Sequence, residues 1–92
     1  MSKATAAQGT FTISNELGLH FRAAAMVVRT VGTFKSRVTI AARGTVADAS
    51  SVLDIITLNA PRGTQVTVEA QGPDAKKAVD TLGNLIDRHF AE

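Results

Sequence analysis

The sequence predicts an α+β fold: an open-faced two-layer sandwich in which three helices cover one face of a four-stranded antiparallel sheet. Three observations support this prediction. Apolar residues alternate with period two in the strand-like segments, and they recur with helical spacing in the others. These segments follow one another in the order β α β β α β α. Gly44 separates two adjacent strand-like segments, as in a β-hairpin, and hairpin-linked strands with helices on one face form such a sandwich.

Each element has its own pattern. Val38 and Ile40 share one face of a strand, Gly32 ends the first helical pattern, and Ser51 is a good N-cap for the second helix. The predicted strands cover residues 10–14, 35–41, 45–47 and 65–70. The predicted helices cover residues 21–31, 52–58 and 75–90. Residues 1–9 are expected to form a polar tail ahead of a single domain at 10–92.

Composition excludes several classes of function. The formal net charge of +2 is too small and too scattered to indicate nucleic-acid binding, and no apolar run approaches membrane-spanning length. The chain has no cysteine and only two histidines, far apart in sequence, so neither a thiolate site nor a histidine metal cluster is expected. The N-terminus lacks the apolar stretch of a secretion signal. We expect a cytoplasmic monomer that needs no cofactor.

The candidate functional residue is His20, which lies where the turn after the first strand enters the first helix. The first N–H groups of a helix lack internal partners and favour an anion. An anion beside His20 would meet the N–H groups of Phe21 and Arg22, and the Arg22 guanidinium would add charge-assisted bonds. Imidazole is a competent nucleophile near neutral pH. From spacing alone, however, His20 also fits a helix cap or a surface residue, and His89 fits a cap or surface residue better than a catalytic one.

Three segments resemble one family. Residues 15–22, Asn-Glu-Leu-Gly-Leu-His-Phe-Arg, resemble the active-site segment of the HPr phosphocarriers, which reads Asn-x-x-Gly-(Leu/Met)-His-x-Arg-Pro-Ala. Residues 49–53 resemble that family's regulatory serine segment, with Ser51 at the serine position. Residues 58–72 resemble its following loop and fourth strand. The three motifs occur in the family's order, and the resemblance extends from about residue 10 to residue 90.

The resemblance implies a phosphocarrier of the phosphoenolpyruvate-dependent phosphotransferase system (PTS). His20 would accept a phosphoryl group on Nδ1 from enzyme I and pass it to an EIIA-type acceptor. Arg22 would steady the phosphate, while the N–H groups of Phe21 and Arg22 would hold its oxygens. Such a protein is a carrier with a phosphohistidine intermediate, not an autonomous enzyme. Family partners would dock beside His20, with Leu53 and Ile56 the more exposed pair; the expected docking residues are Phe21, Ala24, Val52, Leu53 and Ile56.

The sequence departs from the family pattern at two positions. Ala23 stands where the family has proline, which removes a restraint on the entry to the helix. Phe21 is bulkier than the threonine or alanine often found there, and fits either a partner contact or core packing. These departures leave the partner preference open.

Other functions fit parts of the sequence. Ser51 is either a helix N-cap alone or a phosphorylation site for an HPr serine kinase/phosphorylase, where phosphate would alter docking. The alternative function is a regulatory module that acts through phospho-Ser51 on a transcription factor or enzyme. A general small-molecule or RNA-binding domain is a third reading, and the lack of stacking aromatics disfavours RNA. Residues 58–63 lean toward the nitrogen-related carriers over the sugar carriers.

Overall fold

The computed structural model describes residues 5–91 and confirms the predicted architecture and element order. Four strands form one antiparallel sheet, and three α-helices pack on one of its faces. The strands are β1 (Ala6–Thr12), β2 (Arg37–Ala42), β3 (Thr45–Asp48) and β4 (Gln65–Gln71). The helices are α1 (Phe21–Val31), α2 (Val52–Thr57) and α3 (Ala75–Asp87), followed by a 3₁₀ turn at His89–Ala91.

The sheet has the strand order β1-β4-β2-β3, so β4 lies in its interior. Val68 of β4 pairs with Gly9 on one side and with Ile40 on the other. Alternate residues of β4 point to opposite faces, and Val66, Val68 and Ala70 are buried under the helices. Within residues 5–91, the opposite face of the sheet has no helix on it, as the open-faced prediction requires.

The core is aliphatic and lies between the sheet and the helices. In α3, the residues at the predicted apolar positions Ala78, Val79, Leu82 and Ile86 are all buried. This spacing places one stripe of the helix against the sheet and leaves its lysines in solvent. The helix is therefore fixed across β1 and β4, with which it makes most of its contacts.

Two predicted boundaries lie more than two residues from the observed ones. β1 begins at Ala6, inside the segment expected to be a tail, because Ala6 pairs with Gln71 and continues the ladder with β4. Residues 1–4 of that segment lie outside the described part of the chain. The last helix ends at Asp87 and not near Phe90. Phe90 still reaches the core, with 1% of its surface exposed, from a 3₁₀ turn in which its φ is +56°.

Within residues 5–91, no helix is both long and apolar enough to cross a membrane.

Candidate functional site

His20 is the N-cap residue of α1, and its ring faces the start of the helix. Its backbone is extended, with φ −77° and ψ 179°, which turns the side chain back over the first helical turn. Nδ1 accepts a hydrogen bond from the backbone N–H of Arg22 at 3.1 Å. A neutral imidazole that accepts at Nδ1 carries its proton on Nε2. The Nδ1 lone pair is therefore directed at the N-terminus of α1.

The helix N-terminus offers a favourable environment for an anion. The first bond of the helical ladder runs from the N–H of Ala24 to the carbonyl of His20 at 2.9 Å. The N–H groups of Phe21, Arg22 and Ala23 precede it and point out of the helix end. No acidic residue lies in the first turn, so nothing there opposes the positive end of the helix dipole.

The turn before His20 is held by a side-chain hydrogen bond within it and by contacts with the loop that follows α2. The buried Asn15 donates from its side-chain amide to the carbonyl of Gly18 at 2.8 Å. The N–H of Leu19 donates to the carbonyl of Ala60 at 2.9 Å. Gly18 has φ +70°, and a Cβ there would lie 2.8 Å from Cα of Pro61. His20 is thus presented from a closely packed turn and not from a loose loop.

Arg22 is the second residue of α1, and its side chain is exposed. Within residues 5–91, the guanidinium forms no ion pair with a carboxylate. Its charge is therefore available to an incoming anionic group.

An apolar groove begins at His20. Three large side chains on its walls are strongly exposed: Leu17 and Phe21, each at 69%, and Leu53 at 75%. On α2, Leu53 is exposed as expected, whereas Ile56 is half-buried like Val52 and does not form an exposed pair with Leu53. Ile56 lines the groove, but Val52 does not. The groove is lined by Leu17, Leu19, His20, Phe21, Leu53, Ile56, Asn59, Ala60 and Pro61. Exposed apolar side chains next to a polar centre are typical of protein contact sites.

The prediction that Ala24 contributes to docking was wrong. Its side chain is 0% exposed, as is that of Ala23. Both residues lie on the face of α1 that packs into the core, so neither Cβ can reach a partner without unfolding the helix.

Ser51 is the N-cap of α2, as the sequence predicts. Its Oγ accepts from the N–H of Asp54 at 3.2 Å, and the residue is half-buried. The Asp54 carboxylate accepts from the N–H of Asp48, also at 3.2 Å. Ser50 donates its side-chain hydroxyl and its backbone N–H to the Asp48 carboxylate, and these bonds lower the pKa of Asp48. Asp48 and Asp54 therefore place two carboxylates in the hydrogen-bonded segment around the start of α2.

Asn15 belongs to the motif around His20, but the sequence alone did not indicate its role. Asn15 holds the turn at Gly18 from five positions before His20. The presence of asparagine three residues before glycine in a turn is the pattern that could have indicated it.

A histidine whose Nδ1 lies at a helix N-terminus, on an open-faced sandwich of this topology, defines the class of small histidine phosphocarriers. The family model described as "PTS HPr component phosphorylation site" matches residues 7–88. The chain belongs to the HPr family, and it is accordingly a phosphocarrier of the PTS.

Individual relatives agree with this assignment. The chain is 42% identical to phosphocarrier protein HPr of Cupriavidus necator over 81 residues, which cover 88% of this chain and 91% of that protein. It is 37% identical to phosphocarrier protein NPr of Proteus mirabilis, over 87% of this chain and 90% of that protein. The crystal structure of HPr-C-His from Thermoanaerobacter tengcongensis superposes with a TM-score of 0.89 at 32% identity, covering 94% of this chain and 97% of that one.

Proposed function

We propose that His20 carries the phosphoryl group of this phosphocarrier, as a monomer that accepts it from enzyme I and passes it to an EIIA-type acceptor. The observation that supports this most directly is the hydrogen bond from the N–H of Arg22 to Nδ1 of His20. It places the nucleophilic lone pair at the one end of α1 where negative charge is stabilised.

The transfer step follows from this geometry. The Nδ1 lone pair attacks phosphorus, and the bond between phosphorus and the donor atom of enzyme I breaks, its electron pair staying with the donor. The ring keeps its proton on Nε2 as the P–N bond forms, so no proton has to move with the phosphoryl group. The N–H of Arg22 then no longer donates to Nδ1 and donates to a phosphoryl oxygen instead. The N–H of Phe21 donates to the phosphoryl group as well. In the second transfer a histidine nitrogen or cysteine sulfur of the acceptor attacks phosphorus. The P–N bond then breaks, and its electron pair returns to Nδ1 of His20.

The Arg22 side chain supplies positive charge next to the transferred group. Phosphoryl transfer is catalysed mainly by positioning and by stabilising charge on the equatorial oxygens. The Arg22 guanidinium and the N-terminus of α1 supply this charge stabilisation at the same end of the helix.

The apolar groove serves as the docking surface. Phe21 and Leu53 project from α1 and α2 into the groove that His20 also lines, and Ile56 completes its α2 side. A partner that covers these side chains would exclude water from the phosphoryl group during transfer. The exposure of Phe21 favours the partner-contact role over core packing.

The proposal is tested by incubating the purified protein with enzyme I and phosphoenolpyruvate, then measuring intact mass. We expect one added phosphate that is lost in acid and absent in His20→Ala. Arg22→Gln should still be phosphorylated, roughly ten- to a hundredfold more slowly, as expected for the loss of one charge-assisted contact. No added mass, with enzyme I shown to phosphorylate another HPr, would reject the proposal. The branch is then identified by measuring how fast the phosphorylated protein, in excess, transfers its phosphoryl group to EIIA-type acceptors of the sugar branch and of the nitrogen branch.

Phosphorylation of Ser51 by an HPr serine kinase/phosphorylase is the second candidate function. It is favoured by the position of the hydroxyl at the start of α2, next to the docking surface. The carboxylates of Asp48 and Asp54 oppose it, since phosphate adds about −1.5 to −2 charge. Kinase assays on the wild type and on Ser51→Ala, each followed by enzyme I assays, would detect it.

A further inference from the structure

Arg43 occupies an unusual position in the β2–β3 turn. Its φ is +50°, and that of the next residue, Gly44, is +85°. A two-residue hairpin turn with both φ values positive strongly favours asparagine, aspartate or glycine, because other side chains crowd the backbone there. Nothing local favours an arginine at this position. Its side chain, however, makes contacts that can offset this backbone strain.

That contact is with the end of α2. One Nη of Arg43 donates to the carbonyl of Leu58 at 3.1 Å and to the carbonyl of Asn59 at 2.6 Å. These groups follow the last turn of the helix, where carbonyls lack internal partners and a cation is favoured. The arginine thus fixes the loop after α2 to a turn that lies 15 residues earlier in the chain.

The same loop supports the turn that presents His20. Directly after Asn59, the carbonyl of Ala60 accepts from the N–H of Leu19 at 2.9 Å. Gly18 packs so closely on Ala60 and Pro61 that a Cβ on it would overlap the Ala60 carbonyl. A shift of this loop would therefore move the residue directly before His20.

We propose that Arg43 is a positioning residue for phosphoryl transfer. Its bonds to the carbonyls of Leu58 and Asn59 hold the loop after α2 in place. Leu19 is hydrogen-bonded to that loop, and this contact sets the orientation of the next residue, His20. This inference rests on the proposed role of His20 and adds a residue remote from the reacting atoms. It differs from a charge-steering role, in which any arginine on this side of the molecule would serve.

The test compares Arg43→Asn with Arg62→Asn. Asparagine accepts a positive φ, so the turn is kept while the long donor is lost. Arg62 is an exposed arginine near Arg43 that makes no hydrogen bond or ion pair within residues 5–91, so its substitution removes the same charge alone. With enzyme I, Arg43→Asn should lower kcat roughly tenfold with KM unchanged, as expected for a misplaced nucleophile. Arg62→Asn should keep the wild-type kcat, and Arg43→Lys should recover part of the loss.

A second readout does not depend on phosphoryl transfer. In Arg43→Asn, the Leu19 amide should exchange with deuterium at least several-fold faster, and the Arg22 amide resonance should shift, while Arg62→Asn leaves both unchanged. An unchanged Leu19 amide in Arg43→Asn would overturn the positioning role even if transfer fell. Equal losses in the two variants, confined to KM, would also overturn it in favour of charge steering. Failure of the wild type to accept phosphate rejects the role of His20, a separate result from the amide measurement.

Discussion

The backbone N–H of Arg22 donates to Nδ1 of His20 at 3.1 Å, so one ring nitrogen both caps α1 and is the proposed site of phosphorylation. The two roles are chemically separable. Capping needs only an acceptor at this position, whereas phosphoryl transfer needs a nucleophilic nitrogen. Substitutions that keep one property without the other distinguish them.

His20→Asn and His20→Ala should differ in stability but not in activity. Asparagine can supply a side-chain oxygen to the N–H of Arg22, so His20→Asn should unfold in urea close to the wild-type midpoint. His20→Ala should lose about 1 kcal/mol of unfolding free energy, as is typical for removal of an N-cap acceptor. Neither variant should gain phosphate from enzyme I. Equal stability of the two variants would show that the capping bond contributes little.

Leu53→Glu should weaken partner binding without unfolding the protein. The Leu53 side chain is 75% exposed on the docking surface, so a carboxylate there costs little in the free protein and opposes an apolar contact in the complex. We expect KM for enzyme I to rise roughly tenfold, corresponding to about 1.4 kcal/mol.

Val46→Glu is the matched control for this prediction. Val46 is 65% exposed, but it lies on the edge strand β3 and not in the groove. It should leave KM within twofold of the wild type, a margin of about 0.4 kcal/mol. A similar rise in both variants would point to a general charge effect and argue against docking at Leu53.

The parts of the site that could be predicted from the sequence are local. The turn, the cap and the first turn of α1 occupy consecutive residues, so the position of His20 at the helix entry follows from the order of residue types. The expectation for Ala24 failed because it was transferred from the family's docking face, and the phase of α1 turns this side chain into the core. The Arg43 contact joins positions 15 and 16 residues apart through an unusual turn, and no short pattern encodes it.

The start of β1 shows the same limit in the fold. Its first residues are alanine, glutamine and glycine, which have weak strand preference, and their extended backbone depends on pairing with β4. In contrast, β4 could be predicted because Val66 and Val68 alternate with polar residues on a central strand. A strand whose extended backbone depends mainly on pairing with a distant strand is therefore hard to predict from its own residues.

Asp74 should make stability depend on pH in the acid range. Its carboxylate does not cap α3 but accepts from the N–H groups of Lys35 and Ser36, each at 2.9 Å, and from the Ser36 hydroxyl. The hydroxyl of Ser36 first, and then the N–H of Lys35, lower the pKa of Asp74 below its ordinary value of 3.8. Because the folded-state pKa is the lower one, the stabilisation is complete above the unfolded-state pKa and is lost as pH falls through the folded-state value.

Asp74→Asn should therefore be less stable than the wild type at pH 7, and the difference should shrink as pH falls below about 4. Urea midpoints measured from pH 7 to pH 2.5 provide the test. Asp87→Asn is the control, since Asp87 is exposed and its side chain makes no hydrogen bond or ion pair within residues 5–91. A gap between Asp74→Asn and the wild type that stays constant with pH would contradict the proposed acid-range role.

Gly83 should not tolerate alanine, although it lies within α3. The ring of Phe11, in β1, packs directly on the backbone of α3. A Cβ on Gly83 would therefore lie 2.5 Å from Cζ of Phe11 and closer still to its Cε1. Alanine would gain about 1 kcal/mol in helix propensity, but overpacking costs about 1–3 kcal/mol. We expect Gly83→Ala to lower the unfolding free energy by about 1 kcal/mol, the difference between these terms.

The Phe11→Leu background tests whether the ring is the cause. Leucine is shorter and leaves space over Gly83, so adding Gly83→Ala there should be neutral or stabilising by up to about 1 kcal/mol. Asn84→Ala, on the exposed side of the same helix, should gain helix propensity in either background. Equal destabilisation by Gly83→Ala in the two backgrounds would show that the Phe11 ring is not the cause. It would contradict the close packing of Phe11 on Gly83.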